Sequence, residues 1–365
     1  MTRLVHLRVL FQSSALLIIA PHSMAASLYD RPFELRLFLA VDRQSNYAST
    51  LGRQASVAFF DGASANPGAA SWREPTQSTS TATASFLDAP STGGRRVVAA
   101  PVSVRWRSPA AGTISFAYAY TDTPDMQGNN GLNRSLRSNE WIGSYGKRTN
   151  ERVSAGFSIR FTNGQIINES PMADLGDQVL RNRTHFHGAD FNVGIASALN
   201  AEWTLGLVGG FGIARANTKV TNVNPLVVPL SPSGLLLTLA PDSPLNQVDD
   251  TIRTYVLRAG LGFRPTELTG IYMDLTGLRA STNRSGSQNL GRFALGFEHR
   301  PSDTWSIRGG VGVDNTGQVN WSGGLGYRFS DTLDAQLAFQ NNGAPEVNPD
   351  LGRTRLYMVS VAWMF

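Results

Sequence analysis

From about residue 77 to the C-terminus, apolar side chains alternate with small or polar ones in segments of about ten residues. In residues 318–329, for example, Val319 and Trp321 lie on one face while Asn320 lies on the other. A period of two residues is typical of a β-strand whose two faces meet different surroundings. The repetition of this pattern over most of the chain predicts an all-β fold.

The absence of long apolar runs indicates what the apolar face of these strands contacts. Past the first residues there is no run of eighteen apolar residues, and the mean hydropathy of -0.16 is too polar for a bundle of membrane helices. A closed β-barrel is the other structure that can cross a membrane with its backbone hydrogen bonds satisfied. We therefore expect an antiparallel transmembrane β-barrel.

Turns and loops predict the number of strands. Six short turns alternate with seven longer segments, which together separate fourteen strands, an even number. The first strand, at 77–88, has the weakest alternation, and losing it with one other strand would reduce the count to twelve. The short turns lie near 108–112, 149–151, 200–202, 265–268, 301–304 and 330–332, and the longer segments near 88–98, 122–138, 162–184, 215–249, 281–288, 315–317 and 341–352.

Aromatic residues near the strand ends are expected to form the two girdles that lie at the membrane interfaces. Ordinary core packing is the alternative for these side chains, but the alternation around them favours the membrane surface. The residues are Trp106, Trp141, Tyr145, Trp203, Trp305, Tyr327 and Trp363.

The first 25 residues have the pattern of a secretory signal peptide. Arg3 and Arg8 precede an apolar run, which a small-residue stretch ending near Ala25 follows. The run is too short to span a membrane as a helix, so we expect Sec-type export and cleavage. The chain contains no cysteine, which leaves neither a lipid-modified N-terminus nor a disulfide available.

Arginine accounts for almost all of the basic charge, since Lys147 and Lys219 are the only lysines and the isoelectric point is near 9.7. These arginines are scattered singly, whereas nucleic-acid binding requires a clustered basic surface. We therefore expect them to face anionic lipid headgroups or a charged lumen.

Residues 26–75 lack the alternation and have no partner strand. A barrel of fourteen strands has a lumen wide enough to hold a plug, so we expect this segment to fold into it. A periplasmic tail is the alternative. The predicted organisation is then a signal peptide at 1–25, a plug at 26–75 and a barrel at 76–365.

A resemblance to a known family appears within this N-terminal segment. Residues 55–60, "ASVAFF", lead into Asn66, Pro67, Gly68 and Ala69 ahead of a barrel of this size. The arrangement resembles the FadL-type family of outer-membrane transporters for long-chain fatty acids and aromatic hydrocarbons, whose N-terminal hatch carries an Asn-Pro-Ala motif. Gly68 departs from the third position, and the third strand, at 113–120, has no internal glycine or proline where the family has a kink.

The resemblance implies passive uptake of a hydrophobic solute through the lumen of an outer-membrane barrel in a Gram-negative bacterium. Asn66, Pro67 and Gly68 would then form part of a gate. The expected partners are the solute, outer-membrane lipid and the barrel-assembly machinery, which would recognise the terminal aromatic residue, Phe365. No cofactor or metal is expected.

Residues 222–249 contain aliphatic side chains where a water-facing loop should be polar. An exposed apolar surface of this kind marks a binding site, and we expect these residues to capture the solute first. Packing on the barrel rim or against another subunit is the alternative. The residues are Leu226, Val227, Val228, Leu230, Leu235, Leu236, Leu237 and Leu239.

A porin for hydrophilic solutes is the second hypothesis, because the alternation places charges of both signs in the lumen, where they could line a wet pore or pair with one another. An enzyme is the third, but His185, His187 and His299 lack the neighbours of a hydrolase, and two histidines do not make a metal site. The residues expected in the lumen are Arg105, Glu140, Arg152, Arg160, Asp190, Arg258, Asp274, Arg292, Glu298, Arg308, Asp314 and Asp334.

Overall fold

A closed antiparallel barrel of fourteen strands accounts for nearly all of the described chain. The computed structural model describes residues 66, 67, 69, 78–90, 96–123, 133–171, 179–229, 236–242, 244–283, 286–342 and 353–365. The barrel strands are β1 (Thr79–Pro90), β2 (Arg96–Ser108), β3 (Gly112–Asp122), β4 (Arg134–Asn150), β5 (Val153–Pro171), β6 (Val179–Ala198), β7 (Trp203–Asn222), β10 (Pro244–Thr266), β11 (Thr269–Thr282), β12 (Ser287–His299), β13 (Trp305–Asp314), β14 (Val319–Ser330), β15 (Leu333–Asn341) and β16 (Arg355–Met364).

A separate two-stranded hairpin of β8 (Leu226–Pro229) and β9 (Leu236–Leu239) lies in the connection between β7 and β10. In the described part of the chain, no helix is long and apolar enough to span a membrane. The predicted signal peptide and most of the predicted plug lie outside the described residues.

The first and last strands close the barrel. β1 pairs with β16 in a continuous register from Thr81 opposite Met364 to Asp88 opposite Tyr357. Ser80 and Phe365 extend the ladder by two backbone hydrogen bonds, of 3.0 and 2.9 Å. The prediction of fourteen strands, with the weakly patterned first strand included, is therefore confirmed, and no strand of the barrel is left with a free edge.

All six predicted short turns lie at one end of the barrel, which we call the turn end, and the longer connections lie at the other, the loop end. β1 begins and β16 ends at the turn end. The tight turn between β2 and β3 is completed by Gly112, whose φ of 89° is accessible to glycine at little cost.

The outward face of every barrel strand carries exposed large hydrophobic side chains, as expected for a lipid-facing surface. Near the turn end, Trp203 stacks on Phe263 with ring centroids 4.6 Å apart, and Trp305 packs on Tyr327 at 4.7 Å. Trp106 and Trp363 lie at the same end, whereas Trp141 and Tyr145 lie further along β4. A second row, formed by Trp321, Phe339 and Tyr357, lies near the loop end.

The strands differ greatly in length around the barrel. β10 has 23 residues and β6 and β7 have 20 each, whereas β15 has nine. The predicted loop at 162–184 is therefore wrong over most of its length, and the one at 215–249 is wrong at both of its ends. β5 continues to Pro171, β6 begins at Val179, and residues 244–249 already pair with β7.

Candidate functional site: an apolar collar in the lumen

In the loop-end part of the long strands, polar side chains occupy the outward positions that carry apolar side chains nearer the turn end. On β6, outward positions near the turn end carry Val193 and Phe191, but closer to the loop end they carry His187, His185 and Arg183. On the lumen face of the same strand, the buried Phe186 lies on the loop-end side of Asp190. Above the lipid-facing band, this part of the wall therefore carries polar side chains outside and an apolar ring inside.

Two clusters of buried apolar side chains line the loop-end half of the lumen, and we call them together the apolar collar. One lies on the long strands β4 to β7 and on β10 to β12. The other lies on β1, β2 and β16. The first consists of Leu136, Ile166, Phe186, Ala214, Ala216, Ile252, Val256, Leu278, Ala280 and Leu290, and the second of Leu87, Ala89, Val97, Ala99, Leu356 and Met358.

Small residues make room for the largest side chain of the collar. Phe186 lies opposite Gly164 on β5 and opposite Ala216 on β7. A Cβ atom at Gly164 would lie only 2.7 Å from the ring of Phe186. The ring therefore lies flat over its neighbour because the facing position has no side chain.

The second cluster forms where the barrel closes. Leu87 on β1 lies opposite Ala99 on β2 and opposite Met358 on β16, and all three side chains are buried. Ala338 on β15 packs against the same group. Apolar lining is thus present on both sides of the mouth.

A charged layer lies beneath the first cluster. On six strands the collar residue lies on the loop-end side of an ionisable residue that also faces the lumen. The pairs are Leu136 and Glu140 on β4, Ile166 and Arg160 on β5, Phe186 and Asp190 on β6, Ile252 and Arg258 on β10, Leu278 and Asp274 on β11, and Leu290 and Arg292 on β12.

Several of these charges pair with one another. Arg160 and Asp190 are both buried, and the Arg160 Nη2 and Asp190 Oδ2 atoms are 2.9 Å apart. The Thr254 hydroxyl donates to the other carboxylate oxygen of Asp190 at 2.8 Å. This interaction joins β5, β6 and β10 and compensates two charges that would otherwise be costly to bury.

A second set of buried charges lies near the turn end of β12 and β13. Glu298 accepts a hydrogen bond from Arg300 Nε at 3.0 Å and lies 3.8 Å from Arg308 Nε. Arg308 donates in turn to Gln336 Oε1 on β15 at 2.5 Å. Charges of both signs are held by neighbouring strands instead of forming a surface of one sign.

The remaining residues expected in the lumen have different positions. Glu140, Arg258, Asp274 and Asp314 are buried, and Arg105, Arg292 and Asp334 are half-buried. The prediction that Arg152 faces the lumen is wrong, because this residue lies exposed in the turn between β4 and β5.

Asn66 and Pro67 lie inside the barrel near the turn end. The amide of Asn66, which is fully buried, donates to the carbonyl oxygen of Ile195 at 3.2 Å. The Pro67 carbonyl lies against the lumen face of Gly156. Gly68 lies outside the described residues, while Ala69 is buried and donates its backbone N–H to the Asn66 carbonyl at 3.0 Å.

The predicted capture segment contains the β8–β9 hairpin, in which Leu226 pairs with Leu239 and Val228 with Leu237. Leu236 is the first residue of β9, and Leu230 and Leu235 lie outside the described residues. Its aliphatic residues therefore stay a predicted binding surface.

The histidines are not assembled into a site. His185 and His187 face outward on β6, and the Nδ1 atom of His299 lies 3.0 Å from the Thr269 hydroxyl at the turn end. No group of three potential metal ligands occurs among the described residues. β3 pairs without a register shift along both neighbours, in agreement with the absence of glycine and proline at 114–121.

The alternation could have revealed the collar, because Phe186 stands between His185 and His187 and Ala216 between Arg215 and Asn217. The predicted loops include Arg215 and Asn217 and end beside His185, because polar residues at outward positions conflict with a lipid-facing strand. A strand that continues above the membrane band removes this conflict.

Comparisons with known structures find the same fold in solved toluene transporters and in a FadL homologue. The barrel is similar to the Pseudomonas putida toluene transporter TodX, with a TM-score of 0.54 and 12% identity over 87% of this chain and 96% of that one. It is similar to the Ralstonia pickettii toluene transporter TbuX, with a TM-score of 0.58 and 11% identity over 85% and 95%. For a Pseudomonas aeruginosa FadL homologue, the values are 0.56 and 13% over 86% and 97%. The predicted resemblance is confirmed at the level of the fold.

Comparisons by sequence give less information than the comparisons by structure. A comparison with the curated proteins found no match. The YadA-like membrane anchor domain matches residues 293–329. This short match covers the second half of β12, all of β13, and β14 up to Phe329, whose outward residues alternate strictly.

Proposed function

We propose that this protein is an outer-membrane channel for the passive uptake of hydrophobic small molecules, such as long-chain fatty acids or aromatic hydrocarbons. The apolar collar is the observation that carries the proposal. A porin for hydrophilic solutes has a lumen lined by polar groups, whereas buried apolar side chains line two sectors of the loop-end half of this lumen, beside polar ones such as Asp314, Asn320 and Gln340. The structural neighbours that are named as toluene transporters support the same solute class.

The solute would pass from the outside to the collar and then toward the turn end. The loop end would face the exterior, because long connections lie outside and short turns lie in the periplasm. Leu226, Val228 and their aliphatic neighbours would supply the first contact. The collar would then hold the solute, since transferring apolar surface out of water is favourable.

The N-terminal segment would act as the hatch. Asn66 and Pro67 contact the inner wall at the turn end, opposite to the collar along the barrel axis, and a gate is needed there to prevent leakage. Residues 26–75, which include Gly68 next to Pro67, would provide this gate.

Export and insertion complete the proposal. Residues 1–25 would direct the chain to the Sec pathway of a Gram-negative bacterium, and the barrel-assembly machinery would recognise Phe365. The protein would need no cofactor, because diffusion down a gradient supplies the driving force.

Polar substitution of the collar tests the function. Ile166→Gln, Ile252→Gln and Leu278→Gln, made together, should lower the cellular uptake of a long-chain fatty acid or an alkylbenzene about tenfold, because buried amides without partners disfavour an apolar solute. The control triple Ile166→Val, Ile252→Val and Leu278→Met keeps the lining apolar and should retain uptake.

The porin hypothesis predicts another outcome in the same experiment. Sugars would then enter liposomes that contain the wild-type protein at rates set by their size, and hydrophobic uptake would be absent. Rapid sugar flux without hydrophobic uptake would overturn the proposed function and leave the fold unchanged.

A further inference from the structure

A group of cationic side chains projects from the outer wall of the barrel at the loop-end part of β6, β7 and β10. We call Arg183, Arg215, Lys219 and Arg253 the cationic patch, and the exposed His187 lies among them. Their side chains are exposed and belong to the outward face, since the buried residues between them point into the lumen. The patch thus lies on the opposite side of the wall from the collar.

The register brings basic groups directly opposite each other. Arg183 on β6 faces Lys219 on β7, and His187 faces Arg215. Thr251 on β10 is the partner of Arg215, which places Arg253 diagonally across from it. Facing side chains on one side of a sheet have Cβ atoms about 5 Å apart, and like charges in that position repel. A bound anion would remove this repulsion.

Arginines elsewhere in the loop-end part of the barrel form ion pairs with carboxylates, whereas, within the described residues, those of the patch do not. Arg137 pairs with Asp122 at 3.1 Å, and Arg181 pairs with Glu169 at 2.8 Å. By contrast, Arg183, Arg215 and Lys219 make no ion pair or side-chain hydrogen bond with any part of the chain that the structure describes.

The other polar groups near the patch are already engaged. Asp249 on the adjacent strand accepts a hydrogen bond from the neutral Asn217 amide at 2.6 Å, so it keeps its negative charge and offsets one of the four cations. Arg253 donates to the Asn283 amide oxygen at 2.6 Å, which leaves its charge uncompensated. The patch therefore retains a clear excess of positive charge.

The patch lies directly above a lipid-facing surface. Phe191, Phe211 and Tyr255 form a row of exposed rings on the same three strands, and Phe191 and Phe211 are 6.3 Å apart between ring centroids. His187 is eight residues from Ile195 along β6, which is roughly 20 Å above it for a tilted strand. That height corresponds to the upper boundary of the hydrocarbon band, where lipid headgroups lie.

We propose that the cationic patch binds the phosphate groups of a phosphorylated lipid in the outer leaflet, while the rings below it contact the acyl chains. Guanidinium groups suit this role, because their planar set of donors matches phosphate geometry. The site lies on the outside of the wall and is independent of the proposed transport function. This side of the barrel would therefore bind a phosphorylated lipid in preference to other lipids.

Lipid fits the patch better than a soluble anion does, because the charge is continuous with the apolar surface. A soluble phosphate would use the cations alone and would leave the exposed rings without a role. The opposite side of the barrel offers a comparison, since Arg355 is an exposed outward arginine at the loop end of β16.

Lipid titration of the purified full-length barrel tests the proposal. In a neutral detergent, a diphosphorylated glycolipid should raise the thermal unfolding midpoint in a saturable way, because a ligand that binds the native state stabilises it. Its enzymatically dephosphorylated form should have a much smaller effect. We expect Arg215→Gln to weaken binding about tenfold and the triple Arg183→Gln, Arg215→Gln and Lys219→Gln about a hundredfold.

Arg355→Gln is the matched control, and we expect it to leave the affinity within about twofold of wild type. Equal weakening by Arg355→Gln and Arg215→Gln would show unspecific charge attraction and overturn the proposal. Saturable binding of inorganic phosphate at the same affinity as the lipid would also overturn it. Should the triple variant fail to fold, the comparison of the two single variants decides the question.

Discussion

The carbonyl oxygen of Pro67 lies where a side chain at Gly156 would begin, so the inner wall of the barrel and the N-terminal segment are in direct backbone contact. Gly156 lies near the turn end of β5 between Ser154 and Ser158, which are both buried. The absence of a side chain at this position is therefore what allows the segment to reach the wall.

Gly156→Ala should loosen the Asn66–Pro67 contact, because the added methyl group overlaps the Pro67 carbonyl group. We expect a higher single-channel conductance in planar bilayers. Gly209→Ala is the control, since a Cβ atom there would have no neighbour within 4 Å. Identical conductance in the two variants would argue against a closing role of this contact.

Removal of residues 26–70 should open the barrel. If this segment occludes a fourteen-strand lumen, its loss should raise conductance clearly above that of the intact protein. Gly156→Ala should change conductance less in the truncated protein than in the intact one, because Pro67 is then missing and only the contact of the added methyl group with the Tyr145 carbonyl oxygen on β4 remains. An unchanged conductance after truncation would instead favour a segment that lies outside the barrel.

Arg160→Leu should destabilise the barrel by about 3–5 kcal/mol, because it leaves the buried Asp190 carboxylate without its cation. The double variant Arg160→Leu and Asp190→Leu should recover most of this loss, since it removes both charges. Urea unfolding in detergent micelles measures both free energies. A double variant as unstable as the single one would contradict the proposed compensation.

Serine at Leu235, Leu236 and Leu237 should reduce the uptake of a hydrophobic solute. Each leucine could contribute roughly 1.5–3 kcal/mol when an apolar ligand covers it, and serine contributes little of this. Cellular uptake of a long-chain fatty acid measures the effect, while folding and sugar permeation should stay as in wild type. Undiminished uptake would remove this segment from the solute pathway.

Deletion of Phe365 should impair insertion into the outer membrane. The residue closes the ladder with Ser80 and packs on Trp363 with ring centroids 5.5 Å apart, so it ends both the strand and the turn-end girdle. We expect the secreted chain to accumulate in the periplasm and to be degraded, as surface labelling and fractionation would show. Phe365→Tyr keeps the aromatic ring and should insert normally, whereas wild-type surface levels of the deletion would contradict the role in assembly.

Most of the barrel could be predicted from the sequence because the lipid-facing residues alternate strictly. Trp321, Leu325 and Tyr327 define β14 without any other information, and the short turns fix its connection to β15. The number of strands and their order follow from such segments. The lengths of the tall strands could not be predicted from the alternation. Arg183 and Lys219 at outward positions are incompatible with contact to acyl chains, so the predicted loops include them.

The collar was missed for a related reason. A lumen is expected to be polar, so Phe186 and Ile252 had no assigned place once the aromatic and aliphatic residues had been assigned to the outer face. Pairing across strands decides their position, and pairing cannot be derived from one strand at a time. The contact of Asn66 with Ile195 likewise joins residues 129 positions apart, which local sequence patterns do not reveal.

The unequal strand lengths give the barrel an oblique rim. β10 has 23 residues and β5 to β7 have 19 or 20, whereas β13 to β16 have between nine and twelve. The mouth is therefore cut at a slant. In the proposed orientation its high edge would extend furthest from the bilayer, and antibodies or phages that recognise this protein on intact cells should find their epitopes there.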